Sequence, residues 1–181
     1  MKIHLFGASG AGSTTQGLDL SAILGIPYFD TDTYYWEISD PPFTIRRDPE
    51  IRNMLIKGDS NKHDHYIIGG SLVNWGEEWK MAFDLAVFLY IPKNVRVKRL
   101  EEREKMRYGT IIFTDPERNR LYREYIEWCA GYDTNTAKGR TLAVQESWAL
   151  QLSCPLLSIK GDLSVMERRQ LILSKLTELG F

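Results

Sequence analysis

Cysteine is scarce in this chain, with two among 181 residues. Cys129 and Cys154 have neither metal-ligand spacing nor the density of a disulfide framework, so free buried thiols in a reducing compartment are expected. Histidine is almost as rare. His4 falls inside an apolar run, and His63 and His65 flank a turn without the Cys or carboxylate spacing of a zinc site. No apolar stretch approaches the ~20 residues that a membrane-spanning helix needs. A strand-like segment begins almost at once, so no secretory leader is expected, and the protein reads as cytoplasmic. Charge of one sign is also lacking: 23 basic and 24 acidic residues give a formal net charge of -1. That balance gives no electrostatic footprint of a general nucleic-acid partner. Repeats, low-complexity tracts and long linkers are missing as well. One domain over 1–181 is expected, large enough to bury about 70% of the surface that its unfolded chain exposes.

Five short apolar, β-branched or aromatic segments bounded by turn residues read as buried strands: Ile3–Phe6, Pro27–Phe29, Tyr66–Ile68, Leu85–Ile91 and Leu156–Ile159. The fourth is apolar at nearly every position, as a central strand covered on both faces should be. Helical patterns lie between them. One runs from about Thr14 to Leu24 and stops at Gly25. Another runs from about Val165 to Leu179, with capping-box spacing at Ser164 and Glu167 and an apolar stripe at Val165, Ile172, Leu176 and Leu179. Strands alternating with helices imply βαβ units and an α/β fold around a mainly parallel sheet. Two excursions interrupt the alternation, about 31–63 and about 108–153, and such segments are often binding loops or lids.

The chemistry concentrates in the first loop. Gly7, Ala8, Ser9, Gly10, Ala11, Gly12, Ser13, Thr14 and Thr15 lie between a strand and a helix, the context of a phosphate-binding P-loop. Successive backbone N–H groups there would point into one concavity, reinforced by the helix N-terminus. Thr14 is placed to put its hydroxyl on Mg²⁺. The G-x-x-G-x-G order differs from the G-x-G-x-x-G of a dinucleotide site, although Asp30 or Asp32 lies near the separation of a ribose-binding acid. One absence stands out: the position that normally carries lysine holds Ser13. Losing that ammonium should cost on the order of 2–4 kcal/mol of transition-state stabilisation unless another group replaces it. Retained nucleotide binding with slower or re-routed chemistry is the direct expectation.

Phe29-Asp30-Thr31-Asp32 places two carboxylates at the C-terminal end of the second strand, the edge that carries the ligand crevice in open parallel sheets. Asp30 and Asp32 are candidates to hold Mg²⁺, and Asp32 to take the proton of an attacking hydroxyl; alternatively Asp32 caps the next helix. Tyr34, Tyr35 and Trp36 follow and could stack on a planar substrate, with part of the cluster expected to pack the core or lid. Arg96, Arg99, Arg103 and Arg107 recur at helical spacing after the fourth strand, and phosphates would relieve their mutual repulsion. Arg103 and Arg107 are the candidates to close over a transferring phosphoryl group. Arg118, Arg120, Arg123 and Arg140 are weaker candidates, and Arg46 and Arg47 could meet an acidic acceptor. Trp75 and Trp79 read as packing residues.

The glycine loop, the F-D-x-D strand end and the pair Gly69-Gly70 together resemble the adenylate kinase and shikimate kinase group of small P-loop kinases. Leu156-Leu157-Ser158-Ile159-Lys160-Gly161-Asp162 is similar to the strand and loop that approach adenine there. The resemblance implies a three-layer α/β/α fold with a five-stranded parallel sheet in the order 2-3-1-4-5. It also implies a substrate-binding insertion at about 31–63, an arginine-bearing lid at about 108–130, and ATP with Mg²⁺ as partners of a small-molecule acceptor. The loop in particular resembles that of bacterial adenylate kinase-like proteins that read G-A-S-G with serine or threonine where lysine is expected. The stretch Pro41-Pro42-Phe43-Thr44-Ile45-Arg46-Arg47 matches neither the nucleoside-monophosphate nor the shikimate pocket. The expected function is a phosphotransferase that uses Mg·ATP to phosphorylate a small molecule, and the alternative is a nucleotide-binding regulator with little turnover because Ser13 replaces the lysine.

Overall fold

The computed structural model describes residues 1–40 and 42–181, so Pro41 of the first excursion lies outside the described residues. Five parallel strands, β1 (Lys2–Gly7), β2 (Tyr28–Asp30), β3 (Tyr66–Gly69), β4 (Leu85–Tyr90) and β5 (Leu156–Lys160), form one sheet in the order β2-β3-β1-β4-β5. β1 and β4 lie side by side at the centre, with Gly7 level with Leu89. This is the strand order that the resemblance implied, within one or two residues at each boundary.

Period-two alternation explains why the sheet is covered on both faces. In β1 and β4, Ile3, Leu5, Leu85, Val87 and Leu89 turn to one side, where they meet Leu20, Ile172 and Leu176. Phe6, Ala86 and Phe88 turn to the other and meet Ile56, Trp79 and Trp148. Burying each such Leu, Ile or Phe fully contributes about 1.5–3 kcal/mol.

On the first side pack α1 (Ser13–Leu24) and α8 (Val165–Glu178). The capping box expected at Ser164 is present: Ser164 Oγ accepts from the Glu167 amide at 3.2 Å, and Glu167 Oε2 accepts from the Ser164 amide at 2.7 Å. The first excursion holds α2 (Thr31–Tyr35), an antiparallel bridge of Trp36 with Arg46, and α3 (Pro49–Ser60). The second continues α4 (Lys93–Tyr108) into α5 (Ile111–Thr114), α6 (Pro116–Ala130) and α7 (Leu142–Leu150). Between α6 and α7 the segment 131–141 is turn and loop.

Of the two cysteines Cys129 is buried, as expected, whereas Cys154 is only half-buried. His4 is fully buried, stacked 4.9 Å from both Phe6 and Phe83, and burial holds its imidazole down at about 4. Cys129 and Cys154 are free thiols. Among the described residues no helix is long and apolar enough to cross a membrane.

Candidate active site

The loop between β1 and α1 is pinned from outside. Gln145 Nε2 donates to the Gly7 carbonyl at 3.0 Å, Arg96 Nη1 to the Ser9 carbonyl at 3.2 Å, and Arg168 Nη1 to the Ala11 carbonyl at 2.9 Å. Among the described residues, the amides of Ala8, Gly10 and Gly12 donate to no backbone or side-chain acceptor. Gly10 and Gly12 have φ of 81° and 87°, a left-handed backbone that favours glycine. A Cβ on Gly12 would also sit 3.0 Å from Arg168 Nη1. Helix α1 then starts at Ser13 with no side-chain cap, leaving first-turn amides to a ligand or to water. This cradle fits phosphate oxygens.

Thr14 and Asp30 meet beside it: the Thr14 hydroxyl donates to Asp30 Oδ2 at 2.8 Å, and the Tyr28 hydroxyl donates to the same oxygen at 3.1 Å. Tyr28 fits because Gly17 and Gly69 leave room for its ring, which a Cβ at either would strike. Asp30 rather than Asp32 caps α2, accepting from the Asp32 amide at 2.9 Å. The capping alternative for Asp32 is therefore corrected. The last residue of a strand is the position before the first helical turn, and its side chain reaches back to that turn.

Asp32 faces a cleft of ≈ 930 Å³ that also exposes Ser9, Arg46, Arg52, Arg103, Arg107 and Arg140. Asp32 is exposed to solvent, and its surface opens into the cleft. Desolvation raises its pKa; Arg140 pulls it back most, Asp30 raises it, and Arg103 and Arg107 lower it. Thr14, Asp30 and Asp32 form an all-oxygen donor set, as Mg²⁺ takes. Among the described residues no three His, Cys, Asp or Glu side chains could hold a metal alone, so hydroxyl, water and phosphate oxygens would complete such a site.

The arginine row divides. Arg96 is completely buried, pairs with Asp133, and lies over the Tyr132 ring at 5.0 Å. Its expected place on an open phosphate-binding face is thus corrected, because Arg96, Leu100 and Glu104 form the buried stripe of α4. Arg99 pairs with Asp162 in the loop after β5. Arg103 and Arg107 reach the cleft, sharing the buried Glu104 at 3.2 and 3.6 Å. Arg107 also lies 4.7 Å from the ring centre of Phe43, spanning from α4 to the first excursion. In the second excursion Arg118 and Arg140 line the cleft, whereas Arg120 is held by Glu117 and Glu124 and Arg123 is exposed. Arg46 lines the cleft, but Arg47 is spent on Glu37 and on the carbonyls of Thr33 and Tyr34. Of the aromatic trio, Tyr34 is buried and donates to Asp59, while Tyr35 and Trp36 line the cleft. Thr15 is exposed beyond the cleft.

Two arginines escape sequence reasoning. Arg52 is 9% exposed, stacked 4.4 Å from the Trp75 ring centre and 5.1 Å from that of Tyr35. It has one hydrogen bond, to the Asn74 carbonyl at 3.3 Å, and a buried Nε without a partner among the described residues. Arg168 is 4% exposed and makes no ion pair among the described residues. Both sit on the apolar stripes of their helices, which is the signal that could have found them.

The chain is 38% identical over 175 residues, 97% of either chain, to the uncharacterized protein YqaC of Bacillus subtilis (strain 168). It belongs to the YqaC family. No family model matches it. In fold the family is similar to kinases. The deoxyadenosine kinase from M. mycoides with bound dATP matches with a TM-score of 0.60 and 18% identity, over 98% of this chain and 100% of that one. Shikimate kinase from Bacteroides thetaiotaomicron matches with a TM-score of 0.58 and 18% identity, over 98% of either chain. A gluconokinase from Sinorhizobium meliloti 1021 matches with a TM-score of 0.55 and 12% identity, over 98% and 92%. The likeness covers the sheet order and the helical layers alike.

Proposed function

We propose that this protein is a Mg·ATP-dependent phosphotransferase acting on a small acceptor that carries an anionic group. One observation carries the reading: the amides of Ala8, Gly10 and Gly12, without acceptors among the described residues, and the Asp32 carboxylate lie at the same C-terminal edge of the sheet, where Thr14 bonds Asp30. The similar solved kinases support it as analogues of fold. Amides of Ala8, Gly10 and Gly12 would hold polyphosphate oxygens, and Thr14 with Asp30 and Asp32 would hold the metal. Mg·ATP, when bound, supplies the transferable phosphoryl group and partial neutralisation of its charge. Asp32, open to the cleft and with its pKa raised by partial desolvation, takes the acceptor hydroxyl's proton. Arg103 and Arg107 stabilise charge on the cleft wall, and Arg52 binds the acceptor's carboxylate or phosphate. The helical segment at about 108–130 acts as the lid that excludes water.

A second reading is favoured by Ser13: a nucleotide-binding regulator with little turnover. Titration calorimetry with Mg·ATP tests what both share, and neither heat nor a thermal shift at millimolar nucleotide would remove both. A mass-spectrometric screen with ATP, magnesium, nucleoside monophosphates and hydroxy acids separates them, because only the phosphotransferase yields a phosphorylated product.

A further inference from the structure

The loop lacks its lysine, yet two guanidinium groups touch it from behind. Arg96 and Arg168 donate to the Ser9 and Ala11 carbonyls. In a trans peptide the C=O and the following N–H point in opposite directions. A cation on the Ala11 oxygen therefore faces one end of the Ala11–Gly12 peptide, and the Gly12 N–H leaves from the other, into the cradle. Polarisation along the unit makes that N–H a stronger donor. The Ser9–Gly10 peptide is held in the same way.

The two arginines differ in net charge. Arg96 is neutralised by Asp133. Among the described residues Arg168 has only carbonyl acceptors, Ala11 at 2.9 Å and Ser164 at 3.4 Å. The charged groups facing it, Arg99 and Asp162, are already paired with each other. A buried guanidinium without a counter-ion is costly unless an anion comes near. The adjoining cradle is where such an anion would sit.

We infer that Arg168 is a positioning residue that lends the loop, through the Ala11–Gly12 peptide, the positive charge that Ser13 cannot supply, and that polyphosphate is its counter-ion. This rests on the reading of the loop as a polyphosphate site. The test is calorimetric titration of ATP, AMP and inorganic tripolyphosphate into the wild-type protein, Arg168→Gln, Arg168→Lys, Ser13→Lys and the double variant Ser13→Lys/Arg168→Gln. Thermal unfolding monitors the fold of each.

Arg168→Gln is expected to weaken tripolyphosphate and ATP about tenfold or more and AMP much less, with a shallower salt dependence. Arg168→Lys should keep most of the affinity. Ser13→Lys should gain more in the Arg168→Gln background than in the wild type. Such non-additivity is not produced by a merely structural defect. Equal binding by wild type and Arg168→Gln, or equal weakening by Gln and Lys, would overturn the inference while leaving the loop reading intact. A wild-type protein that binds neither ATP nor tripolyphosphate would overturn both.

Discussion

Acidification from about pH 7.5 to pH 5 should cost this protein about 2 kcal/mol of stability through one residue, His4. Its imidazole is fully buried between Phe6 and Phe83, Nδ1 lies 3.3 Å from the Ile68 carbonyl, and Nε2 has no partner among the described residues. Burial lowers the folded-state pKa from 6.5 to about 4. Below 6.5 the unfolded chain takes up a proton that the folded chain refuses, so stability falls as pH drops and levels off only below about 4. The full difference is about 3 kcal/mol, of which about 2 is expressed by pH 5. Glu78, lowered to about 2 mainly by its hydrogen bond from Lys57, contributes stability that is lost only below its ordinary value of 4.5. Asp32 has the opposite sign, since a raised carboxyl pKa is relieved by acid. Calorimetric unfolding should show the midpoint falling by roughly 4–8 °C over this window, and His4→Phe should flatten the slope whatever its absolute stability. If His4→Phe does not fold, His4→Gln provides the same comparison of slopes. A wild-type midpoint indifferent to pH, or an unchanged slope in the variant, would refute the burial argument.

Two further outcomes concern the cleft. Asp32→Asn should lower kcat by roughly 10²–10⁴ and weaken Mg·ATP far less than that, because Thr14, Asp30 and the loop amides remain; steady-state kinetics and titration calorimetry together check this. Arg52→Met should raise KM for the acceptor about tenfold or more and leave the affinity for ATP unchanged; a parallel loss of ATP affinity would place Arg52 elsewhere in the reaction.

The sheet was legible because its strands alternate between two apolar faces, and α8 because Ser164 and Glu167 announce its first turn. The glycine loop and Asp30-Thr31-Asp32 were legible because local geometry restricts which residues serve there. The strand order came from the family resemblance, since local pattern does not say which parallel strands are neighbours. The division of the arginine row was not legible. Spacing places Arg96 and Arg103 on neighbouring parts of a helix, but only packing against α6 and the loop decides that Arg96 is buried. Arg52 needed Tyr35 from α2 and Trp75 from the segment after β3 to reveal its stack.

The three buried arginines share a logic that composition hides. Each occupies the apolar stripe of its own helix, where leucine would add stability and a guanidinium costs it. Arg96 recovers the cost through Asp133; Arg52 and Arg168 have no carboxylate among the described residues. The chain as a whole carries a formal charge of -1, yet Arg46, Arg52, Arg103, Arg107, Arg118 and Arg140 line the cleft against Asp32 and Glu104. Arg168 lies behind the phosphate cradle and Arg52 lines the cleft that Asp32 faces. On the phosphotransferase reading proposed above, guanidinium groups in the cleft and behind the loop would suit transfer of a phosphoryl group between two anionic molecules. They would suit a neutral sugar acceptor poorly, because nothing would then offset the Arg52 charge.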